Sequence, residues 1–166
     1  MLPQILSLDY NADIFDHLYV YFHRDFVKST TFLNRTIKID PRTHKQEDGK
    51  ELTFWHLVTR QQVGQDRHLD PRRAERIEWI KLIIEGHANP LLRCFYHRET
   101  NAKKDIRYYL WAYQHDFVVI LQKLGKSSAF LVTSFYVDHE HKRRDYDRRY
   151  KAYIAKTAGL DDCEWF

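Results

Sequence analysis

Cysteine is nearly absent from this sequence: Cys94 and Cys163 are the only two, and no short spacing joins them. That excludes a zinc knuckle and a disulfide framework, and two lone thiols fit a reducing compartment. Long apolar runs are missing too. Stretches such as FVVIL fall far short of the roughly 20 residues a membrane-spanning helix needs, so no membrane partner is expected. The opening MLPQILSLDYNADIFDH has no basic segment followed by an apolar run; no secretory signal is read, and a cytoplasmic location is expected. With five glycines and four prolines, no low-complexity tract or long linker divides the chain. No glycine-rich phosphate loop, G-x-S-x-G elbow or H-E-x-x-H pair occurs.

What is present is aromatic and basic. The 15% aromatic share and 43% hydrophobic share support a folded core, and 166 residues suit one domain over 1–166. Net charge is only +4, but its distribution is uneven. Basic residues gather at Arg72, Arg73 and Arg76, and again from Lys142 to Lys151, with Arg98, Lys103, Lys104 and Arg107 between. Such clusters suit an anionic partner, RNA or DNA first; they also suit solvated helix faces.

The periodicity predicts an α+β fold. Ile14, Phe15, Leu18, Phe22 and Phe26 recur at helical spacing. RTIKI alternates as a short strand, and Asp48-Gly49 marks a turn. TFWHLVTR permits a strand or a short helix, of which the helix is preferred. Asp70-Pro71 then caps a helix running to about Gly86. From Asn89 the period changes. LLRCFYHRE, DIRYYLWAY, DFVVILQKL and SSAFLVTSFYV are separated by short polar connections, which predicts a four-stranded antiparallel meander. A C-terminal basic helix follows, with Tyr146, Tyr150 and Tyr153 as its packing stripe. N-terminal helices, sheet, then basic helix is the expected order.

Ten histidines are too many to be special alike. His56 stands out because it sits among large apolar groups in FWHLVTR, where it is either a satisfied core imidazole or a catalytic one. His139 and His141 have a chelating spacing, but no carboxylate or cysteine set completes a shell, so no metal and no cofactor are expected. Glu78 and Lys81 mimic part of a metal-nuclease signature without a strand-borne acidic partner. The remaining chemistry is imidazole, guanidinium and hydroxyl, the parts that metal-free RNA cleavage uses. A base takes the 2′-OH proton, an acid protonates the leaving 5′ oxygen, and cations hold the phosphorane. His56 fits base or acid. Arg107, Arg76 and Thr133 fit phosphate binding, and Tyr136 or His139 the second proton transfer. Tyr108 or Tyr109, if exposed on the sheet, would stack bases, and Arg72, Arg73, Arg143 and Arg144 would hold the RNA backbone.

The order FWHLVTR, DPRRAERIEWI, DIRYYLW and Thr133-Ser134-Phe135 resembles the metal-independent RNases grouped around barnase, EndoU, the colicin RNases and RelE-like toxins. It is closest to phage- and toxin-associated members. Over about residues 12 to 153 the shared features are a histidine before the sheet, an arginine-rich helix with an internal tryptophan, and an arginine opening a middle strand. A last strand ending in threonine, a small residue and an aromatic completes them. The resemblance implies His56, Arg107 and Thr133 first and Arg76 second, and a toxin-like role with an antitoxin or immunity protein as partner. Relatives carry tyrosine where Phe135 stands, so a phenol role would pass to Tyr136 on the opposite face. The competing expectation is a non-catalytic RNA-binding or protein-interaction module using the same basic face.

Overall fold

The N-terminal apolar spacing builds the helix it predicts. In the computed structural model, which describes residues 2–161, 164 and 165, α1 (Ile14–Phe22) buries Ile14, Leu18 and Phe22. Cys163 lies outside the described residues. A π-helical turn, His23–Lys28, extends the stripe to Phe26, whose ring packs 5.6 Å from that of Phe22.

Strands β1 (Phe32–Leu33) and β2 (Ile37–Asp40) follow, then a hairpin of β3 (Gln46–Glu47) and β4 (Lys50–Glu51). Asp48 and Gly49 both have positive φ at its tip, the conformation a two-residue hairpin demands. The chain then enters α2 (Leu52–Val58), so TFWHLVTR is mainly helix, with its end, Thr59–Arg60, forming β5. Thr53, Phe54, Leu57 and Val58 are buried, while His56 is half-buried. β5 pairs with β6 (His68–Leu69) around a loop.

One long helix from Asp70 to Gly86 is corrected to two: α3 (Pro71–Ala74) and α4 (Trp79–Glu85). Asp70 caps the first, accepting from the backbone N–H of Arg72 and Arg73. Between the two, Arg76, Ile77, Trp79 and Ile80 donate to carbonyls three residues back, a tightened winding that interrupts the α-helical ladder.

Four longer strands complete the core: β7 (Arg93–Arg98), β8 (Ile106–Ala112), β9 (Phe117–Lys123) and β10 (Ser128–Tyr136). The α+β class stands, but the layout is corrected. The sheet has six strands in the order β1-β2-β10-β9-β8-β7, is mixed, and has short strands scattered among the helices before it. β2 joins β10 in parallel, with Ile37 and Ile39 buried. No hairpin turn announces a parallel pairing between segments so far apart, so RTIKI reads as a strand without a visible partner.

The two sheet faces are covered differently. Tyr108, Leu110, Phe117, Val119, Leu121, Ala129 and Leu131 join one core with residues of α1, α2 and α4. Phe95, Tyr109, Trp111, Val118 and Ile120 meet Tyr146 of the last helix, α5 (Glu140–Ile154), which packs against β7. Within β10, it is Ser128–Phe130 that pairs with β2. Beyond that point α2 and α3 pack against β10.

Candidate active site

The α5-side face carries a polar row near one end of the strands. His97 lies opposite Arg107, Arg107 opposite Gln122, and Gln122 opposite Phe130. Residues directly opposite one another share a face, so all four point the same way. Arg107 donates its Nε to Gln122 Oε1 at 3.3 Å.

A bulge in β10 then changes what this face presents. The pairing register shifts between Leu131 and Thr133, so Thr133 lies opposite Ile120, on the side of Phe130 and Gln122. Strict alternation would have turned Thr133 to the other core; the extra residue re-aims it. Phe135 follows onto the same face, and Tyr136 turns to the opposite one.

Thr133 is used to hold α2. Its hydroxyl donates to the His56 carbonyl at 3.0 Å, and Arg73 Nη1 donates to the same carbonyl and to that of Thr59, both at 3.1 Å. Carbonyls at a helix C-terminus lack intrahelical partners, and β10 and α3 supply them here. Thr133 and Arg73 thus hold the end of α2 that carries His56, with those donors given to backbone.

His56 and Arg107 meet in a cavity of ≈ 270 Å³ whose lining also includes Arg42, Lys45, Thr53 and Phe130. Among the described residues no carboxylate lines it. Burial, then Arg67 and Arg73, hold the His56 pKa below its ordinary value, with Glu47 opposing weakly. His56 is therefore neutral at pH 7 and able to accept a proton. Burial also lowers the Arg73 pKa. Among the described residues no carboxylate pairs with Arg42, Lys45, Arg67 or Arg107. The arrangement can bind an anion and take a proton from a neighbouring hydroxyl.

Several expected residues lie elsewhere. Arg76 pairs with Glu75, donates to the Arg72 carbonyl at 2.8 Å and packs over Trp79 at 5.2 Å. Tyr136 is flanked by Arg72 at 4.5 Å and Arg76 at 4.9 Å, and neither Arg76 nor Tyr136 lines the cavity. His139 stands before α5, stacked on His141 at 5.3 Å with its side chain 65% exposed. It too is outside the cavity. Tyr109 is corrected most sharply. It is 4% exposed, stacked on Phe95 at 4.9 Å, and donates its hydroxyl to Glu99 at 2.5 Å, so no base reaches its ring. Tyr108, at 5%, is buried in the other core. Arg143 pairs with Asp116, and Arg144 with Glu140 at 3.5 Å.

Four residues escaped the sequence reading: Arg42, Lys45, Phe130 and His97. Arg42 and Lys45 occupy the loop between β2 and β3, where no periodicity points anywhere. His97 was legible in principle, because alternation from Phe95 puts it on the side of Arg107. Burial and then Arg149 hold its pKa down as well. Among the described residues no three His, Cys, Asp or Glu side chains group as metal ligands. Comparison with protein-family models, with curated proteins and with solved structures gave no match.

Proposed function

We propose that the chain is a metal-independent endoribonuclease, acting as a toxin or as a phage or defence effector, with His56 as its general base. One observation carries this reading: the His56 imidazole, its pKa held down by burial, and the Arg107 guanidinium share one cavity, and among the described residues no carboxylate lines it. A ribose 2′-OH beside His56 gives its proton to the ring, and the oxygen attacks the adjacent phosphorus. The P–O2′ bond forms as the P–O5′ bond breaks. Arg107, with Arg42 and Lys45, bears the charge that grows on the non-bridging oxygens. The departing 5′ oxygen takes its proton from water, since Tyr136 and His139 stand outside the cavity, and the hydroxide left behind takes the proton back from the His56 ring. The products are a 2′,3′-cyclic phosphate and a 5′-hydroxyl, and DNA, without a 2′-OH, is not cleaved. A toxin of this kind requires an inhibitor, and exposed Arg60 and Arg72 on the elements flanking α2 suit an acidic antitoxin or immunity protein.

A second reading, a non-catalytic RNA-binding or protein-interaction module, draws support from Thr133 and Arg73, whose donors go to backbone carbonyls. The two readings separate when purified protein meets total RNA in excess EDTA beside a folded His56→Ala variant. The nuclease reading expects chelator-resistant cleavage, cyclic phosphate ends, and loss of both in the variant. Salt-sensitive RNA binding without cleavage by either protein would select the binding module.

A further inference from the structure

Arg42 and Phe130 form a part of the cavity that the proton chemistry leaves unexplained. Arg42 sits at φ 54, and its backbone N–H donates to Asp40 Oδ1 at 2.7 Å, which pins a short loop at the end of β2. Its guanidinium lies over the Phe130 ring, 3.8 Å from the centroid. Among the described residues it has no carboxylate partner. A guanidinium backed by an aromatic ring is a flat cationic platform with a second face, and unstacked nucleobases pack on such planes in RNA recognition.

The lining also has a chemical bias. Arg42, Lys45 and Arg107 present only N–H donors, against two side-chain acceptors, the Thr53 hydroxyl and the His56 ring that the proton chemistry uses, and no carboxylate lines it among the described residues. This excess of donors matches keto oxygens, uracil O4 or guanine O6, better than the amino groups of cytosine and adenine. At ≈ 270 Å³ the cavity is slightly below the usual ligand pocket of about 300–1,000 Å³, a size for one nucleotide rather than a folded RNA element.

The geometry points to a nucleobase subsite: the Arg42–Phe130 stack receives a keto base of single-stranded RNA beside the phosphate at Arg107. This rests on the ribonuclease reading for the identity of the ligand, but it makes a binding claim of its own. It also turns the cavity from a phosphate site into a selective one, so cleavage would follow uridine and guanosine positions.

The test uses penta-uridylate and penta-cytidylate, which differ at each base in the keto-for-amino exchange at C4 and the N3–H donor it turns into an acceptor. Affinities are measured on the folded His56→Ala protein, so that turnover does not intrude, and on the same protein with Arg42→Lys or Phe130→Leu added. The expected result is about tenfold tighter binding of the uridylate, matching the discrimination of one good base-edge contact. Arg42→Lys, which keeps the charge and removes the plane, should bring the two oligomers to near-equal affinity, and so should Phe130→Leu. Equal binding by the parent, or a preference that survives both changes, overturns the subsite. Cleavage of cellular RNA by the wild-type protein without that preference leaves the nuclease standing and removes the subsite. A preference lost in both variants, from a chain that cleaves nothing, does the reverse.

Discussion

Helix α5 carries six cations in fifteen residues, whereas the cavity around His56 gathers its cations from separate segments. On sequence density alone the helix would be the anion-binding surface. The ion pairs of the helix argue for the opposite ranking under the proposed reading. Arg143 pairs with Asp116, Arg144 with Glu140, Arg148 and Arg149 with Asp145, and Lys151 with Asp147. The sixth, Lys142, lies over the Phe135 ring at 4.4 Å. Exposed pairs of this kind add little stability, but each neutralises a charge that a phosphate would otherwise meet. Among the described residues Arg42, Lys45 and Arg107 have no such partner. On the proposed reading free charge, rather than charge count, marks the anion site, and i,i+3 and i,i+4 spacing is what lets a helix cancel its own cations.

The comparison breaks most easily at the imidazole. His56→Ala should lower RNA cleavage about a thousandfold in single-turnover assays, the scale of lost general-base catalysis, while Arg144→Gln changes it less than twofold. Next comes Arg107→Ala, expected to cost roughly a hundredfold in kcat with the fold intact by circular dichroism. Equal losses from Arg107→Ala and Arg144→Gln would erase the distinction between the two regions.

The pH profile sharpens the same contrast. Because the folded-state pKa of His56 is depressed, kcat/KM should rise with pH through an inflection below the ordinary value of about 6.5 and then level off. Stability has the same sign. The unfolded chain binds a proton at this residue below about 6.5 and the folded one resists it, so stability is full above that value and lost as pH falls toward the folded pKa. Chemical denaturation of His56→Ala should therefore show a flatter acid limb than the wild type. An inflection above 6.5 would contradict the desolvated base.

Two smaller effects probe the supports. Thr133→Val removes the hydroxyl that holds the His56 carbonyl; it should cost about 1 kcal/mol of stability and lower kcat more than it raises KM, with Thr133→Ser restoring both. Asp145→Asn frees Arg148 and Arg149, so RNA binding should become more salt-sensitive, with a log–log slope steeper by about one.

Much of this fold was legible. Ile14, Leu18 and Phe22 declare α1 by their spacing, and the four apolar runs after Asn89 declare their strands. What escaped has physical reasons. The bulge at Val132 leaves no mark in a period-two pattern, yet it decides which core Thr133 faces. The break between α3 and α4 occurs inside an apolar helical stripe, where a tightened turn of three-residue hydrogen bonds keeps the apolar spacing and so leaves no mark in it. Arg42 sits in a turn whose partner ring, Phe130, is far along the chain, so only the parallel β2–β10 pairing brings them together. Tyr109 looked available because alternation gives its face but not what covers it; α5 does.

The most direct test is the salt dependence of single-stranded RNA binding, measured on the His56→Ala background with two triple variants. One carries Arg42→Gln, Lys45→Gln and Arg107→Gln; the other carries Arg144→Gln, Arg148→Gln and Arg149→Gln. Both lose three formal charges. The cavity variant should flatten the log–log slope by roughly two, the share of three released counterions on a single strand, and the helix variant by less than one. Equal flattening, or the larger loss in the helix variant, would contradict the account and return the nucleic-acid surface to α5.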